Sequence, residues 1–253
     1  MIALLPMYDW LELADQHRNF WALIRDNLRE SGIDAPQDLD SKIDYWDAWT
    51  SPQLVLGQTC GLPYRTKLHD RVNLVGTLDY QLADAPAGYY YSQLVVRAGD
   101  DRNLNDFESS TLAFNGHDSQ SGWAAPQNFA ALHGFDFAST FHSGAHSESA
   151  RAVADGQADI AAIDAVTWRL ICAYMPNIAK NLRVLTHTTP TPGLPLITAL
   201  DPKPIATAVR TAIQGLTAGD RQALGVFQLV DIPASAYLSV PIPNTPDRTV
   251  GQI

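Results

Sequence analysis

Short apolar runs and four-residue repeats alternate along the first part of the chain. Residues 2–5 form an apolar run, which is typical of a buried strand. After it, Phe20, Ile24 and Leu28 recur at four-residue spacing, and such spacing predicts an amphipathic helix. Gly32 follows as a helix stop. The chain is therefore predicted to begin with a strand and a helix.

The same alternation continues to the C-terminal part of the chain. The predicted strands are 53–57, 71–78, 90–98, 111–115 and 159–164. The predicted helices are 122–134, 147–156, 166–175 and 202–217. This order favours an α/β fold with mixed, mainly parallel sheets flanked by helices. We interpret the dense prolines between 190 and 204 as extended connections rather than as elements.

Composition and charge narrow the function classes. A chain of 253 residues with 46% hydrophobic content is long enough to bury one core or two smaller ones. Its 17 Lys and Arg against 27 Asp and Glu give a formal charge of −10, with no basic run, so binding to nucleic acid and to anionic membranes is disfavoured. No segment has the roughly 18 apolar residues that a membrane span needs. We expect no nucleic-acid partner and no membrane insertion.

The cysteines and the N-terminus bear on the cellular compartment. Cys60 and Cys172 lie far apart and form no CxxC pair, so neither a zinc knuckle nor a disulfide framework is indicated, while a single disulfide between them stays open. The N-terminus has neither the basic leader nor the small-residue cleavage site of a secretory signal. The chain is therefore expected to be cytoplasmic, or numbered without its leader.

The stretch NGHDSQSGW, residues 115–123, follows the predicted strand 111–115. Ser121 is placed as the N-cap of a helix that begins near Gly122. A helix N-terminus presents unpaired N–H groups and about half a positive charge, so hydroxyls gathered there form an anion site without Lys or Arg. Simple helix capping is the alternative. A nucleophile elbow is not indicated, because neither Ser119 nor Ser121 has glycine two residues away on both sides.

A second polar loop lies in FHSGAHSESARAVADGQADIAAIDAVTW, residues 141–168. It enters a predicted helix that Gly156 stops, and the following strand places Asp164 at its end. Ligands of open α/β sheets bind at the carboxyl ends of strands. We therefore expect both polar loops at one edge of one sheet, facing one cleft.

Histidine spacing raises the alternative of a metal site. His142 and His146 are four residues apart, and Glu148, His133 and Asp164 could complete a ligand set. Gly144 lies between the two histidines, however, and makes helical register doubtful there. We predict neither a metal nor a cofactor.

Four segments in order, YYSQLVVRAGD, FESSTLAFNGHDSQSGWAAP, FHSGAHSESARAVADGQADIAAID and RVLTHTTPTPGLPLIT, carry a family pattern. The chain resembles the phosphate/phosphite/phosphonate-binding proteins of ABC transporters, which have the type 2 periplasmic-binding-protein fold. The similarity covers roughly residues 50–200, and the N-terminal strand and helix agree with it.

The resemblance implies a two-lobed clamp. Lobe one would comprise 1–92 and 188–253 and lobe two 93–187, with hinge crossings near 90–96 and 183–188. A small anionic ligand would bind between the lobes and close them. The resemblance also implies an ABC permease as partner and a periplasmic location, and we expect a monomer.

Site residues follow from the same resemblance and from the loops. Ser119, Gln120 and Ser121 would hold the oxyanion, Tyr90 would donate from a crossing, and His146 would donate from the second loop. Asp164 would lie in the neighbouring strand-end position. Two first-lobe candidates have a structural alternative: Tyr8 could contact ligand or simply pack, and Cys60 could line the cleft or be an inert buried thiol.

Three departures from the family pattern concern the ligand. The family loop usually has Ser-Thr-Ser, where this chain has Gln120 in the middle, which would shrink or re-aim the anion site. Relatives that bind aminoalkyl phosphonates have carboxylates where this chain has Val166 and Leu194. An ammonium group would there lack its counter-charge.

The leading interpretation is a non-enzymatic solute-binding protein for a phosphate-, phosphite- or phosphonate-like oxyanion. The alternative is a cytoplasmic enzyme or ligand sensor on the same fold, as in relatives of thiamine-pyrimidine synthesis. The missing leader and the His, Cys and Asp near the cleft suggest this alternative. No set of nucleophile, base and orienting group is evident in the sequence, which favours binding over catalysis.

Overall fold

The computed structural model describes residues 1–243 of the chain, which divide into two compact units. The first unit comprises Met1–Tyr89 and Pro192–Ser239. The second comprises Tyr90–Thr191 together with the segment 240–243. Among the described residues, no helix is both long and apolar enough to cross a membrane.

Twelve strands occur in the described part of the chain. They are β1 Ile2–Leu4, β2 Leu54–Gln58, β3 Asn73–Asp79, β4 Tyr89–Tyr90, β5 Ser92–Arg97, β6 Thr111–Phe114, β7 Ser139–His142, β8 Ile160–Asp164, β9 Leu182–His187, β10 Thr191–Pro192, β11 Pro195–Thr198 and β12 Gln228–Val230.

Ten α-helical segments separate these strands. They are α1 Ala14–Glu30, α2 Tyr45–Trp49, α3 Gly61–Pro63, α4 Ala125–Leu132, α5 His146–Ala154, α6 Ala165–Tyr174, α7 Pro176–Ala179, α8 Pro202–Gly215, α9 Ala218–Leu224 and α10 Ala234–Leu238. Turns of 3-10 helix occur at Leu11–Leu13 and Leu104–Phe107, and turns of π-helix at Tyr64–Leu68 and Gln120–Ala124.

The first unit is built on a five-stranded sheet with the order β1-β2-β11-β3-β12. β1 is parallel to β2, and β11 runs antiparallel to both β2 and β3. β1, β2 and β3 therefore point the same way, and their carboxyl ends lie at one edge of this sheet.

Trp49 and Tyr237 are large aromatic side chains in the core of the first unit, and the polar atom of each has a hydrogen-bond partner. Trp49 donates from Nε1 to the Gln58 carbonyl at 3.0 Å. The Tyr237 hydroxyl lies 2.5 Å from Thr77 Oγ1, and burial raises the pKa of Tyr237. Because an unpaired buried polar group costs about 1–3 kcal/mol, these bonds let tryptophan and tyrosine serve as core residues.

The second unit is built on a five-stranded sheet with the order β7-β6-β8-β5-β9. β6 is parallel to β7 and to β8, whereas β5 is antiparallel to β8 and β9. β8 is buried along its whole length, as expected for a strand covered on both faces. The chain enters and leaves this unit next to the short strands β4 and β10, which pair with one another.

The predicted α/β class with helix-flanked mixed sheets is confirmed, with two corrections. Parallel pairing is not the majority, because five of the eight neighbouring pairs in the two large sheets are antiparallel. The interpretation of 190–204 as connections is wrong at Thr191–Pro192, which forms β10, and at Pro195–Thr198, which forms β11 inside the first sheet. Pro195 is the first residue of that strand, a position that tolerates proline, and its carbonyl accepts from the Thr59 N–H at 3.0 Å.

A charged cluster of Asp100, Arg102 and Asp159 joins three segments of the second unit. Arg102 Nη2 lies 2.7 Å from Asp100 Oδ2 and 3.1 Å from Asp159 Oδ1. Asp159 Oδ2 also accepts from the Thr111 N–H at 3.0 Å, at the start of β6. The hydrogen bond from Arg102 is the main cause that lowers the pKa of Asp100 to about 2.

This cluster predicts acid sensitivity of the fold. A carboxyl group whose pKa is lowered by folding adds stability above its unfolded pKa and loses that contribution as the pH falls through the folded value. Because solvent partly screens this ion pair, we expect Asp100→Asn to lower the unfolding free energy at pH 7 by about 1 kcal/mol, and the difference from the parent to shrink as the pH falls from 4 to 2. Urea unfolding at several pH values measures this difference.

The exposed neighbour Asp101 provides the control, because Asp101→Asn should change the unfolding free energy little at any pH. A difference between Asp100→Asn and the parent that stays constant across pH would contradict the assignment.

Candidate functional site

Three parallel strands of the second unit end at the same edge of its sheet. β6 ends at Phe114, β7 at His142 and β8 at Asp164, and Phe114 is paired with His142. Each strand is followed by a polar loop or by a helix N-terminus. The two polar loops of the sequence are thus brought together by the strand order β7-β6-β8.

Ser119 is the N-cap of the helical segment that follows β6. Its Oγ accepts from the Gly122 N–H at 2.9 Å, and the first turn is π-helical, with the Ala124 N–H donating to the Ser119 carbonyl at 3.0 Å. The prediction that Ser121 caps this helix is therefore wrong. Ser121 lies inside the wide first turn, so its hydroxyl is not committed to capping.

Ser121 instead contacts the second loop. Its Oγ lies 2.8 Å from His146 Nε2 and 3.5 Å from Ser119 Oγ. We call Ser119, Ser121 and His146 the serine–histidine cluster. The predicted binding residue Gln120 lies in the same turn and is buried.

His146 is held neutral by its surroundings. It is the first residue of α5, and its Nδ1 is buried without a hydrogen-bond partner among the described residues. Burial lowers the pKa of His146 to about 4, and the Ala162 carbonyl opposes this shift only in part. At neutral pH the ring therefore offers Ser121 either a proton or a lone pair, but no positive charge.

Asp164 has a structural role at this edge. Its Oδ1 accepts from the N–H groups of Val166 and Thr167, at 2.7 and 3.0 Å, and so caps α6. Asp164 is paired in register with Ser92 of β5, whose hydroxyl donates to the Ser121 carbonyl at 2.8 Å. The strand-end position predicted for Asp164 is correct, while its part in ligand binding stays a prediction.

A group of aromatic rings stands beside the serine–histidine cluster. His117 and His142 are exposed, and their rings stack with centroids 5.7 Å apart. Beneath them, buried Phe114 and Trp123 contact His117 at 4.7 and 5.2 Å between centroids. Partial burial is the largest cause that lowers the pKa of His117, and His142 adds to it.

The first unit has its own polar edge at the ends of β1, β2 and β3. Tyr8 is buried after β1, with its ring edge-on to Tyr80 at 5.1 Å between centroids. His17 Nε2 lies 2.8 Å from the Tyr8 carbonyl, and Gln58 Nε2 lies 3.5 Å from the Tyr80 hydroxyl. Tyr8 is therefore held in place by contacts within its own unit.

The remaining sequence candidates are placed as follows. Cys60 is buried at the N-terminal side of α3, and Cys172 is exposed. The disulfide between them that the sequence left open is not formed. Tyr90 is buried in β4, at the start of the second unit. Within residues 1–243, no group of three or more His, Cys, Asp or Glu side chains is arranged to hold a metal ion.

Several residues of this edge were not singled out from the sequence. Ser92 lies on a strand far from both polar loops, and only the pairing of β5 with β8 brings it to Ser121. Asn115 and Gly122 do lie in the polar stretch 115–123, but spacing alone does not show that they touch. A Cβ atom added at Gly122 would come within 1.9 Å of Asn115 Oδ1, so a larger residue there would have to displace the Asn115 side chain.

Sequence comparison assigns a family to most of the chain. The family model described as "ABC transporter, phosphonate, periplasmic substrate-binding protein" matches residues 59–234. Among curated proteins, none matches this sequence.

Solved structures share the fold at low sequence identity. PhnD1 of Prochlorococcus marinus in complex with methylphosphonate has a TM-score of 0.69 at 16% identity, over 90% of this chain and 91% of that chain. A binding-protein component of an ABC phosphonate transporter from Pseudomonas aeruginosa gives 0.65 at 18% identity, over 90% and 79% of the two chains. A Xanthomonas citri protein bound to ATP gives 0.67 at 15% identity, over 89% and 90%. These neighbours establish the two-lobed periplasmic-binding-protein fold.

The N-cap assignment predicts different stabilities for two serine variants. Ser119→Ala removes the acceptor of the Gly122 N–H and should lower the unfolding free energy by about 1 kcal/mol. Ser121→Ala removes no cap and should change it less. Urea or thermal unfolding of the two ligand-free variants measures this, and a larger loss for Ser121→Ala would contradict the cap assignment.

Proposed function

This chain belongs to the family of periplasmic substrate-binding proteins of ABC phosphonate transporters, and we propose that it binds a small phosphorus oxyanion at the serine–histidine cluster. The observation that carries the proposal is the contact between Ser121 Oγ and His146 Nε2 at 2.8 Å, in the first turn of a helical segment. Hydroxyl groups and a helix N-terminus there can bind an anion without lysine or arginine. The ligand classes that we propose are phosphate, phosphite and simple alkylphosphonates.

The charge state of the cluster supports binding rather than catalysis. A general base works best with a pKa near the operating pH, and burial lowers the pKa of His146 to about 4. The Ser121–His146 pair is thus a poor nucleophile and base at neutral pH. We therefore favour a non-enzymatic binding protein over an enzyme on the same fold.

The rest of the proposed site lies in other parts of the chain. We propose that Tyr90, Tyr8 and Cys60 contribute further ligand contacts and that the two units close on the ligand, as the family resemblance implies. Small-angle scattering tests this closure. We expect the radius of gyration to fall when ligand is added, and an unchanged radius of gyration at ligand saturation would contradict the closure. We also propose an ABC permease as the partner, because the family consists of the periplasmic substrate-binding proteins of ABC transporters.

A nucleotide is a second candidate ligand. The stacked histidine rings beside the serine–histidine cluster favour it. His117 and His142 present exposed, stacked rings beside the serine–histidine cluster, and flat rings of this kind can stack on a base. The related Xanthomonas citri structure contains ATP. Titration with ATP beside methylphosphonate distinguishes the two ligand classes.

The proposal predicts the effect of removing the cluster. The double variant Ser121→Ala/His146→Ala should lose about a hundredfold or more in affinity for its oxyanion, because each lost bond to a charged group costs roughly 1.5–3 kcal/mol. Titration calorimetry measures the affinity, with circular dichroism as the check that the variant folds. Binding as tight as that of the parent would show that the cluster is not the anion site.

Selectivity among ligands is the second prediction of the proposed function. By the family resemblance, Val166 and Leu194 would stand where relatives that bind aminoalkyl phosphonates have carboxylates. Both are buried apolar residues. An ammonium group without a counter-ion loses hydration free energy. We expect phosphate, phosphite or methylphosphonate to bind at least tenfold tighter than 2-aminoethylphosphonate, a difference of about 1.4 kcal/mol. Competition titrations decide this, and tighter binding of the amino compound would show that these two positions do not set the selectivity.

A further inference from the structure

Asn115 follows β6 directly, and its side chain lies against the helical turn of the serine–histidine cluster. The position that a Cβ atom would take at Gly122 is 1.9 Å from Asn115 Oδ1 and 2.9 Å from Asn115 Cγ. The same point is 3.2 Å from His146 Cε1. The Asn115 amide therefore occupies the space that a larger residue at 122 would need, next to the His146 ring.

The contact with Gly122 fixes the direction of this amide. Asn115 Oδ1 is buried and accepts no hydrogen bond from the described residues. It faces the Gly122 Cα–H, a weak donor that suits an oxygen and not an NH2 group. Asn115 as a residue is only partly buried. Because the two ends of a planar amide diverge, its NH2 group points away from Gly122.

We propose that Asn115 is a specificity-determining residue whose NH2 group donates to an oxygen of the oxyanion bound at the serine–histidine cluster. This inference rests on the proposed function. An amide NH2 only donates, so it favours a ligand oxygen that carries no proton. The class of ligand selected is then an oxyanion in its more ionised form, such as the dianion of a phosphonate.

The substitution Asn115→Asp tests this with almost no change in shape. It replaces the NH2 donor with a carboxylate oxygen, which repels an ionised oxygen and accepts only from a protonated one. With methylphosphonate at pH 8 we expect at least a tenfold loss of affinity by calorimetry. The loss should shrink as the pH is lowered towards 6 and the ligand takes up a proton. An Asn115 side chain that lies away from the ligand would not produce this dependence on the ligand's protonation state.

Asn19→Asp is the matched control. Asn19 is exposed on α1 in the first unit, and the change adds the same charge there. The affinity of this variant should equal that of the parent at both pH values. Equal affinity of Asn115→Asp and the parent at pH 8 would overturn the inference about Asn115.

A double-mutant cycle tests the contact with Gly122. Gly122→Ala should displace the amide and weaken methylphosphonate binding about as much as Asn115→Ala does. In the Asn115→Ala background the amide no longer occupies the space that the new methyl group needs. Gly122→Ala should therefore cost little further affinity in that background. If the losses in binding free energy of the two single variants simply add in the double variant, the two residues act independently and the inference is overturned.

Two outcomes separate this inference from the function on which it rests. If the parent protein binds none of methylphosphonate, phosphate and phosphite, the proposed function fails and the inference fails with it. If the parent binds and the Asn115 variants bind equally well, only the role of Asn115 fails. Thermal unfolding of every variant shows which of them is folded before its affinity is interpreted.

Discussion

Parallel pairing of β7, β6 and β8 is the constraint on which the site of the second unit depends. Parallel strands share one carboxyl edge, so the loops after Phe114 and His142 and the helix cap at Asp164 meet without any special local sequence. The contact between Ser121 and His146, 25 residues apart in sequence, is a consequence of that order. A slip of one residue in register would turn every side chain of a strand to the other face.

No basic side chain in the two polar segments of this edge supplies attraction for an anion. The segments 115–123 and 141–150 contain no lysine or arginine, and the low pKa of His146 keeps its ring uncharged at pH 7. The field of a helix N-terminus and fixed hydroxyl dipoles remain as the sources of attraction for an anion. Neutral donors of this kind recognise geometry and the protonation state of each ligand oxygen, whereas a lysine would attract any anion as a point charge.

Local sequence patterns predicted many of the helices and strands. The pairing of strands that lie far apart in sequence could not be predicted from them. The helix α1 and the strand β8 follow from spacing and apolar runs, and the strand-end position of Asp164 follows from them. β11 could not be predicted, because its neighbours β2 and β3 are more than 100 residues away in sequence, and the prolines in and before it are typical of a connection. The N-cap was predicted at Ser121 and lies at Ser119 for a different reason. A π-helical turn holds one more residue than an α-helical one, and no sequence pattern predicts such a turn.

Ser92 connects this site to the point where the chain enters the second unit. Its N–H donates to Thr188 Oγ1 at 3.0 Å and its hydroxyl donates to the Ser121 carbonyl at 2.8 Å. Ser92 directly follows Tyr90 and Tyr91, and Thr188 lies shortly before the chain returns to the first unit at Pro192. The backbone of the turn that carries Ser121 is therefore hydrogen-bonded to the strand that begins at the first crossing, and through Thr188 to the segment that leads to the second. Buried hydrogen bonds are costly to leave unmade, so these two bonds tie the position of the Ser121 turn, within the second unit, to the strand that begins at the first chain connection and to the segment that leads to the second.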